Sequence, residues 1–75
     1  MNINEMFSPG NIITNKPEHV IYLSKGVLTR EISKGNILFV ISCTWSNLEN
    51  DYMIYAIELS TGIEGCIKSR YVLKI

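Results

Sequence analysis

Any chemistry in this 75-residue chain would have to come from one histidine, two cysteines and a few carboxylates. His19 follows Glu18, and a carboxylate beside an imidazole is the pairing that orients a general base. As neighbours in a loop, however, the two read as a solvated surface pair. Cys43 and Cys66 lack metal-type spacing, and one histidine leaves too few soft ligands for zinc. Both cysteines fall inside apolar strand patterns, where a free thiol behaves as a small hydrophobe. Buried free thiols in a reducing, cytoplasmic compartment are therefore expected. Glu49 and Asp51 sit in a loop, where carboxylates are ordinarily solvated. No nucleophile, base and orienting group form a set, so neither catalysis nor a cofactor is expected.

Binding residues are better represented. Trp45 stands at the end of a strand pattern, beside Ser46 and Asn47. It could close the end of a barrel or anchor a partner, since Trp and Tyr are enriched at interface hot spots. Tyr52 and Tyr55 lie across the same hairpin on opposite strand faces, so one of them is expected beside Trp45 in an outward contact patch. Lys68, Arg70 and Lys74 form a local basic cluster that could meet phosphate or an acidic protein surface. Against nucleic acid stands the overall balance, seven basic and seven acidic residues, because phosphate binders usually carry a basic excess. Zero net charge also removes one barrier to self-association. The opening MNINEMFSPG has no basic-then-apolar signal design, and no apolar run is long enough to span a bilayer.

These side chains must be positioned by strands. Isoleucine is abundant and Ala56 is the only alanine, a bias that suits a pleated surface. Residues 1–8 carry no period and read as a tail or lead-in, and a single domain is expected over 9–75. Pro9-Gly10, Asn15-Lys16-Pro17-Glu18 and Ser24-Lys25-Gly26 mark turns between short extended pieces. Ser33-Lys34-Gly35-Asn36 is the clearest turn, with Gly35 free to take a positive φ. From Ile37 to Trp45 the chain alternates with Ile37, Phe39, Ile41 and Cys43 on one face. Tyr52 to Leu59 returns, Ser60-Thr61-Gly62 closes a further hairpin, and Ile63 to Ile67 pairs back. Lys68-Ser69-Arg70 suits one 3₁₀ turn, and Val72 to Ile75 ends the chain as a strand. Short strands at close spacing indicate a small barrel or sandwich.

The ordered spacing of Gly62, Gly65, Ile67, Ser69, Tyr71 and Val72 resembles the C-terminal half of a Src-homology-3 (SH3) domain. Ile32-Ser33-Lys34-Gly35-Asn36-Ile37 resembles that family's diverging turn, and Met53, Ile54 and Ala56 fall where it carries two aromatics and an alanine. The resemblance covers roughly residues 29–75. It implies an all-β, SH3-like barrel of five to six short antiparallel strands with a 3₁₀ turn before the last. It also implies a groove near Met53, Lys68 and Tyr71 that holds proline-rich peptides in binding members. Here the tryptophan place holds Met53, the proline place holds Lys68, and the first-strand tyrosine motif has no counterpart. Only Tyr71 matches, so proline-rich ligands are not expected.

The resulting expectation is a non-catalytic protein-binding module with Trp45, Tyr52, Tyr55, Lys68, Arg70, Tyr71 and Lys74 on its contact surfaces. The Ile-, Asn- and Lys-rich composition suggests an AT-rich genome and a small phage-type protein that docks on a host protein. The alternative is a nucleic-acid-binding barrel using the C-terminal basic cluster. The expected core includes Ile37, Phe39, Ile41, Ala56, Ile67 and Val72.

Overall fold

The computed structural model describes residues 7–75. Its elements are β1 (Ile12–Asn15), β2 (Ile21–Lys25), β3 (Leu28–Ile32), β4 (Leu38–Ser46), β5 (Asp51–Glu58) and β6 (Glu64–Lys68). A 3₁₀ turn at Ser69–Tyr71 leads into β7 (Val72–Lys74). All seven strands belong to one antiparallel sheet in the order β3-β2-β6-β5-β4-β1-β7, curled into a half-barrel. The count exceeds the five to six strands expected, because the segment after Pro17 forms a hairpin of its own, β2–β3, with five residue pairs in register. Of the lead-in expected over residues 1–8, residues 1–6 lie outside the described residues, and Phe7 is buried in the core.

The core lines the inside of the curl. Ile13, Ile21, Leu23, Ile32, Leu38, Val40 and Ile54 are essentially inaccessible, with Ala56, Ile67 and Val72 beside them. Ala56, Ile67 and Val72 thus take the places expected from the alternation. Ile37, Phe39 and Ile41 do not: all three are exposed, and Leu38 and Val40 point inward instead. The cause is a β-bulge. Val40 pairs with Ala56 and Ser42 with Tyr55, leaving Ile41 as the extra residue on β4. An extra residue reverses the alternation beyond it. Cys43, opposite the buried Ile54, therefore packs against the core although Phe39, of the same parity, faces out. Neither face of Ile37–Val40 is polar, so local pattern could not choose between them.

Two further features shape the curl. Gly35 adopts φ +84°, and its N–H donates to Asn15 Oδ1 at 2.8 Å. That bond joins the end of β1 to the turn before β4, and Asn15 Nδ2 also donates to the carbonyl of Lys16 at 2.9 Å. At the other side of the sheet, Ser24 of β2 pairs with Cys66 of β6, so the β2–β3 hairpin extends the sheet from β6 to its far edge. Both cysteines are half-buried, less enclosed than expected.

Candidate functional site

A cleft of about 490 Å³ lies between β2 and the 3₁₀ turn. Val20 and Tyr22 line it from β2 and its lead-in, Met53 from β5, Cys66 and Lys68 from β6, and Tyr71 from the 3₁₀ turn. The walls form for simple reasons. Ile21 and Leu23 of β2 are buried, so strand alternation turns Val20 and Tyr22 outward. Met53 pairs with Lys68 across β5 and β6, which sets the thioether beside the lysine stem on the cleft floor. Tyr71 is held by His19, whose ring meets it edge-on at 5.3 Å between centroids.

One ion pair marks the cleft's edge. Lys68 Nζ lies 2.9 Å from Glu49 Oε1, and Glu49, from the β4–β5 loop, also lines the cleft. The carboxylate raises the lysine's pKa, so the ammonium stays charged. The cleft is thus an apolar trough with two tyrosines and one paired charge at its rim. Such a lining suits an apolar side chain flanked by polar backbone.

The residues expected at the site fall in five places. Lys68 and Tyr71 share the cleft. Trp45 and Tyr52 form a second patch at the end of the β4–β5 hairpin, where they are cross-strand partners. Their rings meet at 70° with centroids 5.0 Å apart, an edge-to-face contact worth about 0.5–1.5 kcal/mol beyond burial. Trp45 remains 49% exposed, and its indole N–H donates to Asn47 Oδ1 at 2.6 Å. Tyr52 is therefore the tyrosine beside Trp45. Tyr55 faces the other way, donating from its hydroxyl to Glu64 Oε1 at 2.6 Å. Glu64 also pairs with Lys25, and these two contacts, Lys25 first, hold its carboxyl below the ordinary range.

Arg70 and Lys74 complete the set. Arg70 Nε donates to Asp51 Oδ2 at 2.9 Å, while Ser69 Oγ donates to Asp51 Oδ1 at 2.7 Å. Asp51 is buried, not the solvated loop carboxylate expected. Burial alone would raise its carboxyl, but Ser69, Arg70 and the backbone amides of Tyr52 and Arg70 outweigh burial and hold it below its ordinary value of 3.8. Arg70 is consequently a latch between the 3₁₀ turn and β5. Lys74 is exposed on β7 at the edge of the sheet, so the basic cluster does not form one face.

Compared with known proteins, the chain matches no family model, no curated protein and no solved structure.

Val20 and Tyr22 were missed from sequence. Their signal was the alternation of His19 to Leu23, which shows two outward apolar residues but not what they face. Glu49 was missed as a cleft residue because only the fold carries its loop to Lys68. Among the described residues, no three His, Cys, Asp or Glu side chains gather into a metal-type cluster, and no helix is long and apolar enough to cross a membrane. Burial raises the Cys43 thiol, with a smaller contribution from Asp51, so this cysteine is a poor nucleophile.

Proposed function

We propose that this chain is a non-catalytic protein-binding module built on an SH3-like barrel, and that its partner enters the cleft between β2 and the 3₁₀ turn. The observation that carries the reading is the cleft itself, lined by Tyr22, Tyr71 and Met53 together with the Lys68–Glu49 ion pair. Tyrosines present large, rigid contact area at low entropic cost, and a flexible thioether adapts to the partner's shape. Trp45 and Leu48, exposed at the same β4–β5 loop that supplies Glu49, give the partner a second foothold. The SH3-like assignment is supported by the long hairpin after the first strand and by the 3₁₀ turn before the last.

The partner is a cytoplasmic protein segment with an apolar anchor, not a proline-rich helix, because Met53 and Lys68 replace the rigid ridges that grip proline rings. A small phage-type protein docking on a host protein fits the AT-rich composition. Nucleic acid ranks second. Lys68 and Arg70 already neutralise Glu49 and Asp51, which leaves little basic charge to release counterions from phosphates.

Affinity capture from the native host with the wild-type chain, Tyr22→Ala and Trp45→Ala tests the reading. A protein retained by wild type and lost with Tyr22→Ala supports the cleft. Tight, salt-sensitive binding of duplex DNA or single-stranded RNA, lost when Lys68 and Lys74 become Glu, would overturn it.

A further inference from the structure

The outer face of β7, β1, β4 and β5 carries an apolar surface that the cleft does not use. Register places it in two rows. Ile12 pairs with Phe39 and Phe39 with Ile57, and the amide of Ile75 donates to the carbonyl of Ile12 at 2.9 Å. In the adjacent row Thr14 pairs with Leu73, and the amide of Leu59 donates to the carbonyl of Ile37 at 3.1 Å. The inward neighbours Ile13, Leu38, Ala56 and Val72 fill the core, so strand alternation obliges these rows to face out. On these four strands no charged residue stands in either row. Phe39, Ile41, Ile37, Leu73, Leu59 and Ile75 are between 37% and 69% exposed.

We propose that this face is the contact surface of a homodimer, covered by the same face of a second copy. Area is the first argument. These six residues, each more than a third exposed, leave on the order of 500 Å² of apolar surface, comparable to the largest patch of a small protein. That is about a tenth of the accessible surface of 4661 Å², the share a standard interface takes from a small protein. Thr14, Ile12 and Ile57, between the exposed residues, extend it toward the roughly 800 Å² per partner of a stable complex. A patch of roughly 300–600 Å², the extent reached here, is often functional.

Charge is the second argument, and it selects the occupant. An uncharged face has nothing to pair with a charged partner, whereas a chain with equal numbers of acidic and basic residues does not repel its own copy. A two-fold axis makes the patch self-complementary by construction, and two antiparallel sheets pack face to face with interdigitating side chains. A shallow depression of about 390 Å³ beside Ile37 and Leu59 receives a side chain from the facing copy. On the β6 side the patch ends at the Lys25–Glu64 pair, since Glu64 is the next residue across from Ile57. The cleft stays open in such a dimer, so partner binding and dimerisation are independent.

Sedimentation equilibrium of the full chain tests the proposal. The wild type is expected to dimerise reversibly, Phe39→Lys to weaken the dimer at least tenfold with an unchanged circular-dichroism spectrum, and Trp45→Ala to dimerise as the wild type does. Should Phe39→Lys fail to fold, dilution of the labelled wild type decides, with amide shifts expected at the outer positions of β1, β4, β5 and β7. A monomer at every soluble concentration, a dimer indifferent to Phe39→Lys in a folded variant, or dilution shifts clustered around Tyr22 and Tyr71 would each overturn it. So would a monomer in which Ile37, Phe39 and Leu59 are shielded from a soluble paramagnetic probe, because another segment of the chain would then cover the face.

Discussion

Gly65 of β6 lies so close to Ser24 of β2 that a Cβ on the glycine would come within 2.9 Å of both the amide nitrogen and the carbonyl oxygen of Ser24. Both are backbone atoms, which cannot swing aside as a side chain can. The missing side chain is what lets the β2–β3 hairpin settle onto the sheet and form one wall of the cleft. Gly65→Ala should therefore destabilise the fold by about 1–3 kcal/mol, the usual cost of overpacking. Denaturant unfolding measures it, and amide shifts should be largest in β2 and around Tyr22. An unchanged midpoint would mean that β2 yields without loss.

Acid should weaken the molecule through Asp51. Its carboxyl is held below the ordinary value of 3.8 by Ser69, Arg70 and two backbone amides. A depressed native pKa contributes stability that is fully present above the unfolded value and lost as pH falls through the native one. Unfolding midpoints should thus show no Asp51 contribution to pH dependence well above pH 3.8 and decline below it. Asp51→Asn should flatten that acid limb. Asp51→Ala, which strands Ser69 and Arg70, should cost about 2 kcal/mol at neutral pH. An acid limb identical in wild type and Asp51→Asn would assign it to other groups.

Neighbouring residues of β4 should respond oppositely to truncation. Leu38 is fully buried whereas Ile37 is 42% exposed. Leu38→Ala should cost about 2–5 kcal/mol, and Ile37→Ala no more than about 1 kcal/mol. Thermal unfolding of the two variants side by side checks the inward phase of the strand. Ala56→Leu, at a position with no accessible surface opposite Gly65, should cost about 1–3 kcal/mol for want of space.

Proline-rich peptides should leave the cleft unshifted. Titration of a PxxP library while following the amides of Met53, Lys68 and Tyr71 is the direct measurement, and saturable shifts at micromolar peptide would reverse the expectation. With a captured protein partner, Trp45→Ala should cost on the order of 2 kcal/mol if the indole is a hot spot. Lys68→Glu should weaken the same complex modestly, by placing a carboxylate beside Glu49.

Local chemistry was enough to reveal the strands, the turns and the small residues that a curled sheet needs. Gly35 takes the positive φ its turn demands, Ser69 opens the 3₁₀ turn, and Ala56, Ile67 and Val72 point inward. These follow from torsional preference and from alternation, which the chain expresses over a few residues at a time. Tertiary structure decided everything that depended on register. A single bulge at Ile41 reversed the faces of β4, turning Ile37 and Phe39 outward, and apolar residues on both faces concealed the choice. Long-range pairing also made Arg70, still exposed, the partner of a buried Asp51 and brought Glu49 to Lys68. It separated Tyr55 from Trp45 and assembled the cleft from residues between positions 20 and 71. Charge pairing and cleft formation act through space, between residues that no spacing along the chain relates.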